Sequence, residues 1–286
     1  MVSKVRVVTD STADLPRELV EQLQISVVPL NVVIDGQTYR DGVDLTPKEF
    51  FLRLPYANEL PRTSQPAPGE FIKTFEGLRD EGAEKIICLL LSGGISGTVS
   101  TARLAGNMVD GVDIEVIDSG SSSVGLGLMV IATARAAQNG ATADEVVATA
   151  KKMVEKVQVY FVVDTLEYLQ KGGRIGRAEA MVGNLLNIKP ILSFVDGIIT
   201  PVDKVRGQSR AIERTIELIK ESSGGKRLEV AMVHANNFSD VMRLHERVVN
   251  EFKCCELCEL IISEVSPVLG THVGPGFVGI GYYPID

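Results

Sequence analysis

In the first half of the chain, short apolar runs rich in β-branched residues alternate with segments whose apolar residues recur every three or four positions. The short runs predict strands that are buried on both faces, and they include Lys4–Thr9, Ser26–Ile34 and Lys85–Leu91. The periodic segments predict helices, among them Thr46–Leu54 and Val124–Asn139. This alternation predicts an α/β domain with a parallel sheet that is covered by helices on both faces.

The second half of the chain has a different pattern. Two short strands, Pro190–Phe194 and Ile198–Pro201, flank the turn Val195-Asp196-Gly197, which is a hairpin signal. Hairpin strands followed by amphipathic helices predict a smaller α+β domain. We therefore expect an N-terminal α/β domain at residues 1–157 and a C-terminal α+β domain at residues 158–286.

Composition limits the classes of function. The 286 residues carry a net charge of −8, with 37 acidic and 29 basic side chains, so electrostatics disfavour nucleic acid or an anionic membrane as the main partner. Hydrophobic residues make up 45% and charged residues 23%, which is the balance of a water-soluble globular protein. Aromatic residues make up only 5% and Trp is absent, which leaves little material for base-stacking or sugar-binding surfaces.

The N-terminal segment and the cysteines bear on the compartment. The chain begins with a strand-like segment instead of the apolar core of a signal peptide, and no apolar run is long enough to span a bilayer. Four cysteines in a chain of this length do not form a disulfide framework. Cys254, Cys255 and Cys258 contain a C-x-x-C pair, but no second pair completes a zinc site, so free cysteines are favoured. We expect a cytoplasmic protein without a metal, a cofactor or an integral membrane segment.

The sharpest candidate site is the serine loop, residues 92–98, with the sequence Ser-Gly-Gly-Ile-Ser-Gly-Thr between a buried strand and a helix. Ligands of parallel sheets bind beyond the carboxyl ends of the strands, and a helix N-terminus offers free N–H groups and positive potential. With the hydroxyls of Ser96 and Thr98, the loop suits an anion. It has no Walker lysine, which disfavours a nucleotide P-loop. A turn that only caps the helix is the alternative.

Three further features are weaker on their own. Thr63 lies in the proline-rich segment Pro61–Pro68, whose prolines fix an extended backbone and would hold Thr63 rigidly for ligand binding. The alternative is that this segment is only a structural loop. Gly125-Leu126-Gly127 imitates a dinucleotide fingerprint but lacks the third glycine, so close helix packing explains it better. His272 lies in the glycine-rich segment Thr271–Gly276, which we expect to be a rigid turn; it is either a ligand-binding histidine or one that braces the turn.

Two arginines are candidate contact residues. Arg174 follows two glycines at a predicted helix end, where we expect an exposed side chain, and Arg206 precedes a predicted helix. Each could meet an acid head group or a protein partner.

Seven segments together resemble the DegV family, in family order and over essentially the whole chain. They are Asp10-Ser11-Thr12-Ala13-Asp14-Leu15-Pro16, Arg62-Thr63-Ser64-Gln65-Pro66, Ser92 with Ser96-Gly97-Thr98, Val116-Ile117-Asp118-Ser119, Val163–Leu169 with Gly172-Gly173-Arg174-Ile175, Lys204-Val205-Arg206-Gly207 and Thr271-His272-Val273-Gly274-Pro275-Gly276. Each motif is weak alone, and the joint match is specific.

The resemblance implies a two-domain protein that binds one long-chain fatty acid between its domains. It implies that this protein is the non-catalytic, acyl-carrying subunit of a bacterial fatty acid kinase. The kinase phosphorylates the carboxylate with ATP, and the acyl phosphate can then enter phospholipid synthesis. By motif position, the carboxylate-binding residues are Thr63, Ser96 and His272. Arg174 and Arg206 are candidate residues for docking the kinase. Gly93-Gly94 departs from many relatives, which have a serine or a bulkier residue in this part of the serine loop.

The residues themselves supply a rationale for such a ligand. Burying about 15 CH₂ groups at roughly 0.8 kcal/mol each yields about 12 kcal/mol before the loss of chain freedom, so neutral donors suffice to orient the carboxylate. They also leave a carboxylate oxygen free as a nucleophile, which a bidentate arginine would occupy. The alternative from a different class is a stand-alone small-molecule phosphotransferase that uses the glycine-rich loops for phosphate.

Overall fold

The computed structural model describes residues 4–182, 187–252 and 261–285, and in this part of the chain the strands form three sheets. The strands before residue 158 are β1 (Val5–Asp10), β2 (Ser26–Val28), β3 (Asn31–Ile34), β4 (Gln37–Arg40), β5 (Arg62–Ser64), β6 (Lys85–Leu90) and β7 (Asp113–Asp118). The helices of the same stretch are α1 (Arg17–Gln22), α2 (Pro47–Arg53), α3 (Pro68–Asp80), α4 (Thr98–Gly106), α5 (Ser123–Gln138) and α6 (Ala143–Lys156).

The elements that follow include a second set of strands and four helices within the described ranges. The strands are β8 (Gln158–Val162), β9 (Ile188–Val195), β10 (Ile198–Arg206), β11 (Arg227–His234), β12 (Ile262–Glu264) and β13 (Val278–Ile285). The helices are α7 (Glu167–Lys171), α8 (Gln208–Ser223), α9 (Phe238–Glu251) and α10 (Pro267–Val273).

The N-terminal domain is built on a parallel sheet in the order β2-β1-β6-β7. Side chains along β6 alternate between two core clusters, since Ile87 and Leu89 belong to one cluster and Ile86 and Cys88 to the other. The sheet is therefore buried on both faces. This confirms the parallel α/β architecture predicted from the apolar strand patterns.

The prediction of a single strand at Ser26–Ile34 is wrong. Pro29 separates β2 from β3, and because proline has no N–H to donate, the chain leaves the parallel sheet there. β3 instead joins an antiparallel sheet in the order β4-β3-β5. Asp35 and Gly36 connect β3 to β4 with φ values of +49° and +80°, so they form the Asp-Gly hairpin turn that positive φ at both positions requires.

The C-terminal domain has a six-stranded sheet in the order β10-β9-β8-β13-β11-β12. Its strand pairs are antiparallel except for β11 with β12. The hairpin of β9 and β10, with Asp196 and Gly197 at its tip, confirms the one predicted from the sequence. Because α6 ends at Lys156 and β8 begins at Gln158, we propose that the domain boundary lies between residues 157 and 158.

Predictions for Cys254, Cys255 and Cys258 and for the beginning of the strand Leu257–Ser263 fall on residues 253–260, which lie outside the described residues. Within the described ranges, no helix combines the length and apolar character needed to cross a bilayer.

Helix α5 is almost wholly buried and lies between the two domains. A Cβ on Gly125 would collide with Val159 of β8, and a Cβ on Gly127 would lie 2.6 Å from the carbonyl oxygen of Ala13. The two glycines thus let α5 approach the second sheet and the loop after β1, which confirms the prediction of close helix packing.

Candidate functional site

An apolar cavity lies at the interface of the two domains, between the serine loop, the start of α5, the inner face of the second sheet and α10. The space between its lining side chains is about 550 Å³, which includes the part open to solvent at its mouth. The apolar side chains that line it come from both domains: Ile95, Val124, Val159, Phe161, Leu169, Phe194, Ile199, Val233, Val265, Leu269, Val273 and Phe277.

Two polar side chains in the cavity wall, those of His272 and Arg174, belong to the C-terminal domain. The Nε2 atom of His272 lies 2.8 Å from the Oγ1 atom of Thr63, which is in β5 of the small antiparallel sheet. A residue of the N-terminal domain and one of the C-terminal domain are therefore in direct hydrogen-bond contact. The cavity wall is apolar apart from His272, Arg174 and Ser122-Ser123 at the start of α5, and among the described residues Thr63 and Ser96 do not themselves line it.

The expectation that His272 lies in a rigid turn is wrong, because the residue lies in the last turn of α10. Ser266 caps that helix through its side chain, Pro267 occupies the first turn, and Gly274 ends it with φ of +69°. The Ser-Pro pair is a helix-start signal that could have revealed α10 from the sequence. Gly270 and the β-branched residues of the segment obscure it.

His272 is 9% exposed. Burial, and then the positive charge of Arg174, lower the pKa of His272 to about 4, so the ring is neutral at neutral pH. A neutral imidazole donates through one nitrogen and accepts through the other. Nδ1 is buried and has no hydrogen-bond partner among the described residues, and a Cβ on Gly172 would collide with it. The glycine therefore lets the chain after α7 pass directly over the ring.

The expectation of an exposed Arg174 is also wrong, because its side chain is half-buried. Its Nε donates to the carbonyl oxygen of Ile95 at 3.2 Å, and its Nη1 donates to the carbonyl oxygen of Gly172 at 2.8 Å. These contacts turn the guanidinium toward the serine loop and the cavity. Arg206, at the end of β10, is exposed.

Ser96 lies next to Ile95 and is half-buried. Its Oγ is 2.9 Å from the Oγ1 of Thr98, at the start of α4. The structure thus brings Thr63 and His272 together, while the hydroxyl of Ser96 pairs within its own loop.

The two unusual glycines of the serine loop occupy tight positions. The amide of Gly93 donates to the Asp118 carboxylate, and a Cβ on Gly93 would lie 2.7 Å from that carboxylate. A Cβ on Gly94 would lie 2.6 Å from the carbonyl oxygen of Gly197, at the tip of the β9–β10 hairpin. Ser92 donates to the same carbonyl oxygen at 2.7 Å. The hairpin of one domain therefore touches the loop of the other, a contact that local sequence patterns do not indicate.

The chemistry of the site favours an amphipathic ligand. Its apolar wall suits a hydrocarbon chain, and hydroxyl, imidazole and guanidinium donors suit an anionic or polar head group. Within the described ranges, no group of three His, Cys, Asp or Glu residues is placed to hold a metal ion.

Comparisons with known proteins point to one family. The sequence model of the DegV family, described as "Uncharacterised protein, DegV family", matches residues 4–285. A DegV domain-containing protein of Listeria innocua is 39% identical over 281 residues, 98% of each chain. Protein DegV of Bacillus subtilis is 39% identical over 278 residues, 96% of this chain and 98% of the relative.

Two solved structures have the same architecture. A DegV family protein of Thermus thermophilus, described by its fatty acid binding, superposes with a TM-score of 0.91 at 34% identity, over 98% of this chain and 99% of the other. DegV of Bacillus subtilis, described as a fatty acid binding protein, superposes with a TM-score of 0.88 at 36% identity, over 99% of this chain and 100% of the other.

Proposed function

This chain belongs to the DegV family, and we propose that it binds one long-chain fatty acid in the cavity between its two domains. The observation that carries the proposal is an apolar cavity lined by His272, which contacts Thr63 of the other domain. The fatty acid binding described for the structural relatives supports the same ligand class. In this arrangement the hydrocarbon chain lies among the apolar side chains and the carboxylate lies beside Thr63, Ser96 and His272.

We further propose that the chain presents the carboxylate to a separate ATP-dependent fatty acid kinase and does not itself catalyse the transfer. The proposed contacts to the carboxylate come from two hydroxyls and a neutral imidazole, none of which grips both oxygens as a bidentate arginine does. One oxygen can therefore attack the γ-phosphorus of ATP while the acyl chain stays bound, and the bond between the γ-phosphorus and the bridging oxygen breaks so that ADP leaves. The resulting acyl phosphate would then be available for phospholipid synthesis.

The low pKa of His272 supports a carboxylate held by neutral donors. A buried imidazolium is disfavoured by its desolvation and by Arg174 in the free protein. A bound carboxylate stabilises the imidazolium and would raise the pKa of His272. Binding energy nevertheless comes mainly from the acyl chain, since burial of each CH₂ contributes about 0.8 kcal/mol.

The two arginines are proposed to serve the kinase. Arg206 is exposed and available for docking. Arg174 is half-buried beside the serine loop, where its guanidinium faces the place proposed for the carboxylate. We propose that Arg174 acts when the kinase engages the head group and that it contributes little to lipid retention.

The test is to denature the purified protein and analyse the extract by mass spectrometry. One equivalent of long-chain fatty acid per chain is the expected result. A bound nucleotide without fatty acid would favour a stand-alone phosphotransferase instead. Loading the protein with labelled fatty acid and adding ATP with and without a fatty acid kinase tests the second step, and acyl phosphate formed without the kinase would contradict the presenting role.

A further inference from the structure

Helix α10 belongs to the C-terminal half of the chain, but it packs on the N-terminal domain. It contacts α2, β3 and β5 there, as well as α7. A Cβ on Gly270 would lie 2.8 Å from Phe50 and 2.9 Å from Phe51, both in α2. The glycine therefore lets the middle of the helix sit directly on two aromatic rings of the other domain.

The beginning of α10 is held by two buried carboxyl groups of the N-terminal domain. Oδ1 of Asp14 accepts the amide N–H of Ser266 at 2.9 Å, and Oδ1 of Asp41 accepts the amide N–H of Val268 at 3.3 Å. The two acceptors are 8% and 2% exposed. They satisfy amides that have no partner inside the helix. Both contacts join residues more than 200 positions apart in the chain.

Each carboxyl is itself fixed by a serine through its second oxygen. Ser123, at the start of α5, lies 2.6 Å from Oδ2 of Asp14, and Ser11 lies 2.6 Å from Oδ2 of Asp41. Burial raises the pKa of both acids to about 7. A protonated carboxyl can keep the same geometry, because its carbonyl oxygen still accepts the helix amide while its hydroxyl donates to the serine. The anchor therefore works in either protonation state.

We propose that Asp14 and Asp41 are positioning residues that, through α10, set the place of the His272 imidazole opposite Thr63. The helix is held at its start by the two carboxyls and at its middle by the Gly270 contact. At a rise of about 1.5 Å per residue, only about 9 Å separate Ser266 from His272, so a short rigid element transmits the placement. A hydrogen-bonding site tolerates misplacement of only about 0.5 Å. The benefit to a bound carboxylate rests on the proposed function, whereas the placement of the ring does not.

The experiment is an NMR titration of the histidine side chains, which number only three in the chain. The wild-type pKa of His272 is expected near 4, since the ring is buried and faces Arg174. In Asp14→Ala and in Asp41→Ala the helix start loosens and the ring gains water, so the pKa should rise toward its ordinary value of about 6.5. Asp14→Asn should keep the low pKa, because its amide oxygen accepts from Ser266 and its amide N–H donates to Ser123.

Asp10 provides a matched control. It is a fully buried carboxyl that accepts the amide N–H groups of Leu91 and Thr12, and within the described residues none of its hydrogen bonds reaches α10. Asp10→Ala should lower stability and leave the pKa of His272 unchanged. Ser123→Ala loosens Asp14 without removing it, so it is a milder variant for the case that Asp14→Ala does not fold. It should raise the pKa of His272 by less than Asp14→Ala does.

Two results would overturn the inference: an unchanged pKa of His272 in both folded alanine variants, or an equal rise in Asp10→Ala, which would show only general loosening. Lipid content is measured separately on the wild type. Absence of fatty acid there would defeat the proposed function, and the titration would still decide the role of the two aspartates.

Discussion

The hydroxyl of Thr63 lies 2.8 Å from the imidazole of His272, although 209 residues separate them in the chain. Thr63 is in the small antiparallel sheet of the N-terminal domain, and His272 is in the last turn of α10. This contact joins the two domains at His272, which lines the cavity. A ligand head group that binds there would contact both domains at once.

Replacing the two hydroxyls should weaken fatty acid binding. A neutral hydrogen bond contributes about 1 kcal/mol, so Thr63→Val combined with Ser96→Ala should cost about 2 kcal/mol, or roughly a 30-fold rise in Kd. Titration calorimetry with a long-chain fatty acid measures the change. Ser100→Ala, which removes an exposed hydroxyl in α4, is the control and should bind normally. Undiminished binding and undiminished acyl phosphate formation in the double variant would rule out the proposed contacts.

His272→Ala should separate lipid retention from phosphorylation. The acyl chain keeps its apolar contacts, so bound lipid should stay near one equivalent, while misplacement of the carboxylate should lower the kinase rate at least about tenfold. Mass spectrometry of the extract and an acyl phosphate assay measure the two quantities. A wild-type rate in a stably folded His272→Ala protein would leave the histidine only the role of bracing α10.

Arg174→Ala and Arg206→Ala should retain lipid and lower turnover by the kinase. In Arg206→Ala the expected change is a higher KM for the lipid-loaded protein, and in Arg174→Ala it is a lower kcat, because only Arg174 faces the cavity. Arg177→Ala removes an arginine that pairs with exposed Asp196 and serves as the control. Loss of bound lipid in Arg174→Ala would instead assign this residue to lipid binding.

Local patterns were sufficient to predict most of the fold. The apolar runs on β1 and β6 predict buried parallel strands, and the turn before Ile198 predicts the hairpin, because both signals depend on near neighbours in sequence. The apolar pattern does not reveal the small sheet, although Pro29 separates β2 from β3 and Asp35-Gly36 forms the turn between β3 and β4. The pattern does not reveal helix α10 either, because its capping residue, Ser266, precedes a segment with weak helix formers.

The site was only partly predictable. Motif resemblance selects Thr63 and His272, but their contact depends on how two domains pack, which no short segment encodes. The burial of Arg174 has the same origin, since its two acceptors are backbone carbonyls whose positions follow from the fold. Asp14 and Asp41 show the limit most clearly, because a buried carboxyl cannot be told from an exposed one without knowing its surroundings.

The buried carboxyls should make stability depend on pH. Burial raises the pKa of Asp14 and Asp41 to about 7, while the unfolded chain ionises near 3.8, so between these values the folded state binds more protons. The stability that these groups contribute is therefore complete below about pH 4 and is lost as pH rises to about 7. Denaturant unfolding at pH 5 and pH 7.5 measures the free energy of unfolding at each pH. Between these pH values, the loss of this free energy should be smaller in Asp14→Asn than in the wild type by at least about 1 kcal/mol.

Asp203 provides a comparison, because its pKa is shifted in the opposite direction from those of Asp14 and Asp41. Hydrogen bonds from Arg214 and from the Lys204 amide lower the pKa of this carboxyl, so its contribution is present above about pH 4 and is lost only at more acidic pH. Asp203→Asn should therefore parallel the wild type between pH 5 and pH 7.5. Equal pH dependence in Asp14→Asn and the wild type would show that Asp14 ionises normally in the folded protein.

Gly279 should limit the length of the acyl chain that the cavity accepts. This residue lines the cavity from the central strand β13, and a Cβ there would lie 3.0 Å from both Phe277 and Val233. Gly279→Ala therefore adds a methyl group to a wall that has little room to move, and the cavity becomes shallower. The distribution of co-purified fatty acids should shift toward shorter chains, with total lipid near one equivalent. Gly77→Ala, at an exposed position of α3 with nothing within 4 Å, should leave the distribution unchanged. An identical distribution in folded Gly279→Ala would mean that the acyl chain does not reach this strand.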